Sequence, residues 1–182
     1  IFDVVQIGKK KGRQDKAINK IFISYYSNNN WQNLETMVCS WENNPLLKKR
    51  IKILLDCVQA VKISSTNKLN EVNVVLPTLI TQIDGILTDY LKNKGLSGDV
   101  PYNKKKKHFQ DNITEGITTK LDDLANDIFL NILFQKSQSG IPLDNPFGFN
   151  RHKIIHGENV NYGRKNYMIR AFLILDFLAH LE

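Results

Sequence analysis

Hydrophobic residues recur at helical spacing along most of this chain. One amphipathic helix is predicted to open at Pro45, because proline is tolerated in a first turn, and to end at the polar turn 64–67. A longer helix is predicted from about Leu69 to Asn93, with a kink or a restart at Pro77. The expected buried stripes are Leu47, Ile51, Leu54, Leu55, Val58 and Val61 in the first helix, and Leu76, Leu79, Ile80, Ile83, Leu87, Tyr90 and Leu91 in the second. This pattern predicts an all-α protein.

The first 41 residues contain further predicted elements. Residues 1–7 form a short apolar run, which predicts an edge strand or a disordered lead, and a helix follows from Lys16 to about Ser27, where three asparagines stop it. Residues 31–41 then carry an apolar stripe that indicates a core helix more readily than a stacking platform for RNA bases. The stripe consists of Trp31, Leu34, Met37, Val38 and Trp41.

The final helix, from about Arg164 to Leu181, is apolar nearly all round. Such a helix is either central in a bundle or covered on a second side by a partner. Before it come a predicted helix, capped by Thr118 or Thr119 and ending near Gln135, and a proline-containing loop from Ser137 to Phe149. We therefore divide the chain into a partly helical segment 1–44, which is an appendage or a part of the same domain, and a helical domain 45–182.

Composition indicates the kind of partner that the protein binds more clearly than any reaction that it could catalyse. The 182 residues carry 25 basic and 18 acidic side chains, a formal net charge of +7, which favours a polyanionic partner. No apolar run reaches membrane-spanning length without a charge, so we predict no transmembrane segment. Cys39 and Cys57 are expected as small buried apolar groups in a reducing cytoplasm rather than as a disulfide. Because the sequence opens at Ile1 without a methionine, a fragment or a truncated chain is one interpretation, and an upstream domain stays open.

Candidate chemistry concentrates in Asn150-Arg151-His152-Lys153-Ile154-Ile155-His156-Gly157. Asn150 is a suitable N-cap for a short helix that begins at Arg151 and stops at Gly157. His152 and His156, four residues apart, share a face of that helix, whereas Arg151 and His156 point about 140° apart. The arginine side chain is long enough to reach round the helix towards the histidine in spite of this angle. Its guanidinium and the imidazole can therefore converge on one bound group.

These side chains suit the cleavage of RNA without a metal. A guanidinium is a forked cation that fits a phosphate, and a histidine exchanges protons near neutral pH. Attack of the 2′-hydroxyl on phosphorus needs a base, a cation on the non-bridging oxygens and a proton for the leaving oxygen. DNA lacks that hydroxyl and would be spared.

The spacing Arg151-x4-His156, late in a helical chain and just before its closing helix, resembles the R-x4-6-H signature of the HEPN superfamily. The longer string from Asn150 to Gly157, followed by Tyr162-Gly163 and an aliphatic helix, is similar to a branch of bacterial HEPN proteins. The resemblance implies an all-α HEPN-like helical bundle with a short motif helix before the C-terminal core helix. It also implies homodimers in which two motifs meet, and metal-independent endoribonuclease activity in bacterial defence or toxin-type regulation, with an antitoxin or regulatory protein as a further partner.

The resemblance assigns roles to individual residues. Arg151 would hold the scissile phosphate and His156 would move the proton. Asn150 and His152 would support them, with His152 replacing the polar amide that often follows the arginine. Asp84 borders an apolar face, where a carboxylate is by default merely solvated. Gln82-Ile83-Asp84-Gly85-Ile86-Leu87 also resembles the corresponding helix of that branch, so Asp84 is in addition a candidate to hold Arg151 or to orient a histidine. No cofactor is predicted.

Lysines supply the predicted contacts to RNA. Lys104, Lys105, Lys106 and Lys107 form the densest cationic run, between Tyr102 and Phe109, and Lys153 lies inside the motif. Such a run usually forms a solvated loop. If the loop lies over the Arg151 site, its lysines would instead attract the RNA backbone in a salt-sensitive way.

Three alternatives stay open. Arg151 could pair with an acidic side chain and His156 could cap its helix, both with a purely structural purpose. His152 and His156 could hold zinc, although Glu158 lies outside the H-E-x-x-H pattern and the other histidines are remote in sequence, so we predict no metal. Finally, the chain could be a non-catalytic HEPN-type domain that binds protein or nucleic acid within a larger polypeptide.

Overall fold

The computed structural model describes residues 11–67, 72–96, 104, 107–108 and 149–181. All regular secondary structure in these ranges is helical, which confirms the prediction of an all-α chain for them. The helices are α1 (Lys11–Cys39), a 3-10 turn (Lys48–Arg50), α2 (Ile51–Asn67), α3 (Val72–Asn93), α4 (Arg151–Ile155) and α5 (Lys165–Ala179). The predicted strand at residues 1–7 and the predicted helix ending near Gln135 lie outside the described residues.

Two compact units divide the chain. The first consists of Ile1–Ile83 and Asn161–Glu182, and the second of Asp84–Val160. Helix α3 begins in the first unit and ends in the second. The division predicted between residues 44 and 45 stays a prediction.

The core of the first unit includes most of the predicted stripe of residues 31–41, which lies in α1 and in the turn after it. Trp31 and Trp41 are each 2% exposed, and Leu34 and Val38 are fully enclosed. The prediction that the stripe belongs to the core is confirmed for these four residues, whereas Met37 is half-buried. A stacking role for these two indoles is not supported, because bases could not reach them.

Two hydrogen bonds join the turn after α1 to the end of α5. The indole Nε1 of Trp41 donates to Oδ1 of Asp176 at 3.0 Å, and Nδ2 of Asn44 donates to the carbonyl of Ala179 at 2.7 Å. A buried indole N–H needs such an acceptor, since an unsatisfied donor inside a core is unfavourable. These bonds fix where the closing helix ends.

Helix α5 lies within one residue of the predicted start and two of the predicted end. Most of its apolar side chains are buried by the chain itself, which favours the first of the two predicted settings, a central helix. They are Tyr167, Met168, Ile169, Ala171, Phe172, Ile174, Leu175 and Leu178.

Helix α1 is interrupted at residues 28–31, as the three asparagines predicted. Asn28 is extended, with ψ at 149°, and Asn29, Asn30 and Trp31 have φ angles of +47°, +52° and +65°. A left-handed conformation costs an ordinary L residue about 1 to 2 kcal/mol, and asparagine tolerates it better than tryptophan. The burial of Trp31 therefore offsets local strain.

Helix α2 differs from its prediction at both ends. It starts at Ile51 rather than Pro45, because Oδ1 of Asn44 accepts the amides of Leu46 and Leu47 at 2.9 and 3.1 Å and forms a turn first. It continues to Asn67, since serine and threonine are only mildly unfavourable in a helix.

Helix α3 is described from Val72 and passes through Pro77 without ending, and its predicted start at Leu69 lies outside the described residues. Proline removes the amide that would bond to the carbonyl of Asn73, and that residue is exposed, so water can replace the lost bond. The predicted restart is wrong. The predicted stripe is confirmed, because every member from Leu76 to Leu91 is buried.

Candidate active site

The motif forms the short helix α4 in the second unit, with the predicted limits. Asn150 is the N-cap, with extended backbone, and its Oδ1 accepts the amide of Lys153 at 3.2 Å. Gly157 follows the helix with φ at +72° and donates its amide to Ile154 at 3.1 Å. Both ends follow from residue type, because asparagine satisfies free helical amides and glycine enters the left-handed region without strain.

One side of α4 is buried, and the opposite side is exposed to solvent. Phe149 is fully enclosed, and Asn150 and Ile154 are 6% and 5% exposed. His156 is exposed, and Ile155 next to it is 48% exposed. The helix therefore has a buried edge that anchors it and an open edge that carries His156.

Arg151 forms an ion pair with Asp84 on α3. Nη1 of the guanidinium donates to Oδ1 of the carboxylate, and the two side chains are 15% and 43% exposed. This is the contact predicted for Asp84, across 67 residues of sequence. It fixes the direction of the guanidinium, and it also supplies the acidic partner that the purely structural alternative requires.

His152 and His156 form a pair on one face of α4, as their spacing predicted. Their ring centroids are 4.2 Å apart, and the ring planes are tilted by 50°. His152 is half-buried, whereas His156 is exposed. Two groups that can carry protons therefore lie side by side at the open edge of the helix.

The predicted RNA-binding lysines are only partly described. Lys104 and Lys107 are exposed on helical backbone, and Lys153 is half-buried within α4. Lys105 and Lys106 lie outside the described residues. The exposure of Lys104 and Lys107 is equally compatible with a solvated loop and with a contact to RNA.

Metal ligands are not grouped in the described parts of the chain. Among residues 11–67, 72–96, 104, 107–108 and 149–181, no three histidine, cysteine, aspartate or glutamate side chains are arranged to hold an ion. A zinc site through His152 and His156 therefore lacks a third protein ligand there. Likewise, no helix in these ranges is long and apolar enough to cross a membrane.

Two features near the motif were not predicted from the sequence. Asn159 is 7% exposed, and its amide donates to the carbonyl of Lys153 at 3.0 Å, which closes the loop after Gly157 onto α4. Val160, the next residue, is 74% exposed. A polar residue that is buried beside an exposed valine inverts the usual hydrophobic pattern, so periodicity could not identify it.

Comparison with protein-family models, with curated proteins and with solved structures gives no match for this chain. The resemblance to the HEPN superfamily therefore stays a prediction from the motif and its position.

Proposed function

We propose that this protein is a metal-independent endoribonuclease of the HEPN type, with Arg151 and His156 as its catalytic residues. The observation that carries the proposal is the open edge of α4, where an exposed histidine follows, on the same short helix, an arginine whose direction is fixed by Asp84. A catalytic base must be reachable by the substrate, and a fixed cation loses little freedom when a phosphate binds. The proposal includes a HEPN-like bundle, a cytoplasmic location and a homodimer.

The reaction needs only groups that the motif contains. The ribose 2′-oxygen attacks the adjacent phosphorus while an imidazole takes its proton, and the bond from phosphorus to the 5′-oxygen breaks as that oxygen gains a proton. The products are a 2′,3′-cyclic phosphate and a 5′-hydroxyl. Arg151 stabilises the negative charge that develops on the non-bridging oxygens.

The second proton carrier has two possible sources. His152 lies beside His156 in the same chain, so one ring could serve as base and the other as acid. In a homodimer, His156 of the second copy could be the acid instead. A His152→Ala variant separates these schemes, because only the first loses the second proton carrier.

A second function, a non-catalytic interaction domain, is favoured by a different observation. The Arg151 side chain is only 15% exposed and is paired with Asp84, which neutralises part of its attraction for phosphate. Ile155 and Val160 are exposed near the motif, and apolar residues of this kind suit a protein contact. Under this function, an antitoxin or regulatory partner would bind the face that the first function uses for RNA.

The deciding experiment is cleavage of a long unstructured RNA by the purified protein in excess EDTA. We expect His156→Ala and Arg151→Ala each to lower the rate at least about 100-fold, since each removes a group that acts in the transition state. His180→Ala is the matched control, because His180 is an exposed histidine at the end of α5 and should leave the rate unchanged. Asp84→Asn should lower the rate less than Arg151→Ala.

The products and the control decide between the two functions. Cyclic phosphate ends in the parent, lost in both catalytic variants, support the ribonuclease. Cleavage that survives both substitutions contradicts the assigned site and indicates a contaminant or a different site. No cleavage by the parent over a range of RNA sequences favours the interaction domain. Circular dichroism checks that every variant is folded.

A further inference from the structure

The break in α1 joins two helical segments through a left-handed turn of residues that are not glycine. Asn29, Asn30 and Trp31 all have positive φ, with ψ angles of 50°, 50° and 22°. We call residues 28–31 the hinge and residues 11–27 the arm. A single left-handed asparagine is common, but three successive left-handed residues that end in a tryptophan are a strained connection.

The same four residues have an easier conformation available. Asparagine and tryptophan are only mildly unfavourable in a right-handed helix, and helix already lies on both sides of the hinge. If the hinge became helical, α1 would be one straight helix and the arm would leave its place in the first unit. Short connections under strain favour this kind of opening.

One contact across the hinge is suited to a second copy of the chain. The hydroxyl of Tyr26 lies 3.5 Å from Sδ of Met37, and the midpoint of residues 26 and 37 falls at the end of the hinge. Two straight helices crossing antiparallel there would place Tyr26 of one chain beside Met37 of the other. Nδ2 of Asn33 donates to the carbonyl of Tyr25 at 2.9 Å, a bond that belongs to the closed chain, because in a straight helix this carbonyl would accept the amide of Asn29.

An exchange of arms between two chains would preserve one specific contact of the arm. It could also cover apolar side chains that the single chain leaves exposed. Nη2 of Arg170 on α5 donates to Oδ1 of Asn19 at 3.0 Å, far from the hinge. Ile21 and Tyr25, one turn apart on the arm, are 47% and 59% exposed in the single chain. A second copy could bury that surface without any change in sequence.

We propose that α1 straightens at the hinge and that two copies of the chain exchange their arms to form a domain-swapped dimer. Each arm then occupies in its partner the place that it leaves in its own chain. Closed monomer and swapped dimer share most contacts outside the hinge, so hinge strain, the burial of Trp31 and concentration set the balance between them. The exchange of arms is a different contact from the homodimer of the proposed function, in which two motifs meet.

A matched pair of hinge variants tests the role of strain. Asn29→Gly with Asn30→Gly removes the left-handed strain and favours the closed monomer, whereas Asn29→Ala with Asn30→Ala increases that strain and favours the straight helix. Both pairs lose the same two side chains. After warming and slow cooling, we expect the dimer association constant of the alanine pair to exceed that of the glycine pair by roughly tenfold or more, by light scattering over a range of concentrations.

A cross-link then shows whether the arms are exchanged. Asn19→Cys and Arg170→Cys, in a Cys39→Ser background, place two thiols where a short bismaleimide can bridge them. In a closed chain or an unswapped dimer the bridge joins one chain to itself, and a denaturing gel shows a monomer. In the swapped dimer the bridge joins two chains, so the purified dimer fraction should run as a covalent dimer.

Two results would overturn the proposal. One is that folded glycine and alanine pairs have the same association constant, or remain monomeric to the highest soluble concentration. The other is a dimer fraction whose bismaleimide bridges lie within single chains.

Discussion

At the scale of single residues, Asp84 and Arg151 show how one contact supports two interpretations. The carboxylate holds the guanidinium in a fixed direction, which a phosphate site needs, and it neutralises part of the charge that would attract the phosphate. His156 has no such ambiguity, because it is exposed and contacts His152. Substitution of His156 is therefore the more informative change, and its control, His180, lies in the other unit.

The two cysteines give a residue-scale prediction. Burial raises the pKa of the Cys57 thiol to about 11, so at pH 8 only about one molecule in a thousand carries that thiolate in the folded state. Cys39 is exposed. We expect a thiol reagent at pH 8 to modify one cysteine in the native protein and two after denaturation, with peptide mass spectrometry assigning the first to Cys39.

A Cys39→Ser variant is the control for this labelling, since it should show almost no native reactivity. Rapid modification of Cys57 in that variant would mean that the core around α2 opens far more readily than its burial indicates.

At the scale of elements, the limits of α4 depend on its caps because five residues form too short a helix to be stable alone. Asn150→Ala removes the acceptor for the amide of Lys153 and is expected to lower the free energy of unfolding by about 1 kcal/mol. Asn150→Asp, which keeps a capping oxygen, should restore most of it. Chemical denaturation measures the energy, and faster exchange of the Lys153 amide would locate the loss in α4.

Helices α1 and α2 give a pH-dependent prediction. A hydrogen bond from Nζ of Lys62 to Oε2 of Glu35, at 2.6 Å, lowers the pKa of Glu35 below its ordinary value of 4.5, with a further bond from Gln59. A carboxylate with a lowered folded pKa contributes stability above its unfolded pKa, and this contribution is lost as the pH falls through the folded value. Glu35→Gln should therefore destabilise the protein at pH 7 by about 0.5 kcal/mol and make little difference once the pH is below the folded pKa of Glu35.

Glu42→Gln provides the comparison for this pH series. Glu42 is an exposed carboxylate in the turn after α1, so its variant should lose less stability at pH 7 than Glu35→Gln. If both variants lose the same stability at pH 7, the Lys62 contact is not the cause.

At the scale of the whole molecule, the net charge of +7 predicts salt-sensitive binding to RNA if the proposed function holds. The double variant Lys104→Gln with Lys107→Gln should bind RNA more weakly. In a plot of the logarithm of affinity against the logarithm of salt concentration, its slope should be smaller in magnitude by about 1 to 2. The control variant Lys48→Gln with Lys52→Gln should lower the affinity less. Fluorescence anisotropy with a labelled RNA over a salt series measures both. An equal loss in the two double variants would indicate attraction by net charge alone.

The sequence predicted individual helices better than their connections. Apolar spacing located α3 and α5, and the three asparagines located the break in α1, because these signals are local. The start of α2 was wrong because Asn44 forms a turn that composition does not reveal. The division into two units was not predicted either, since it depends on which distant segments pack together.

What the sequence by itself determined is the all-α class of the described ranges, most positions of the buried stripes and the caps of the motif helix, because each depends on residues within a few positions of one another. The tertiary structure decided which of its candidate roles Asp84 has, and it alone decided that Trp41 bonds to Asp176 and that His156 remains open to solvent. These facts join residues far apart in the chain or depend on what covers a side chain. Only packing in three dimensions fixes them.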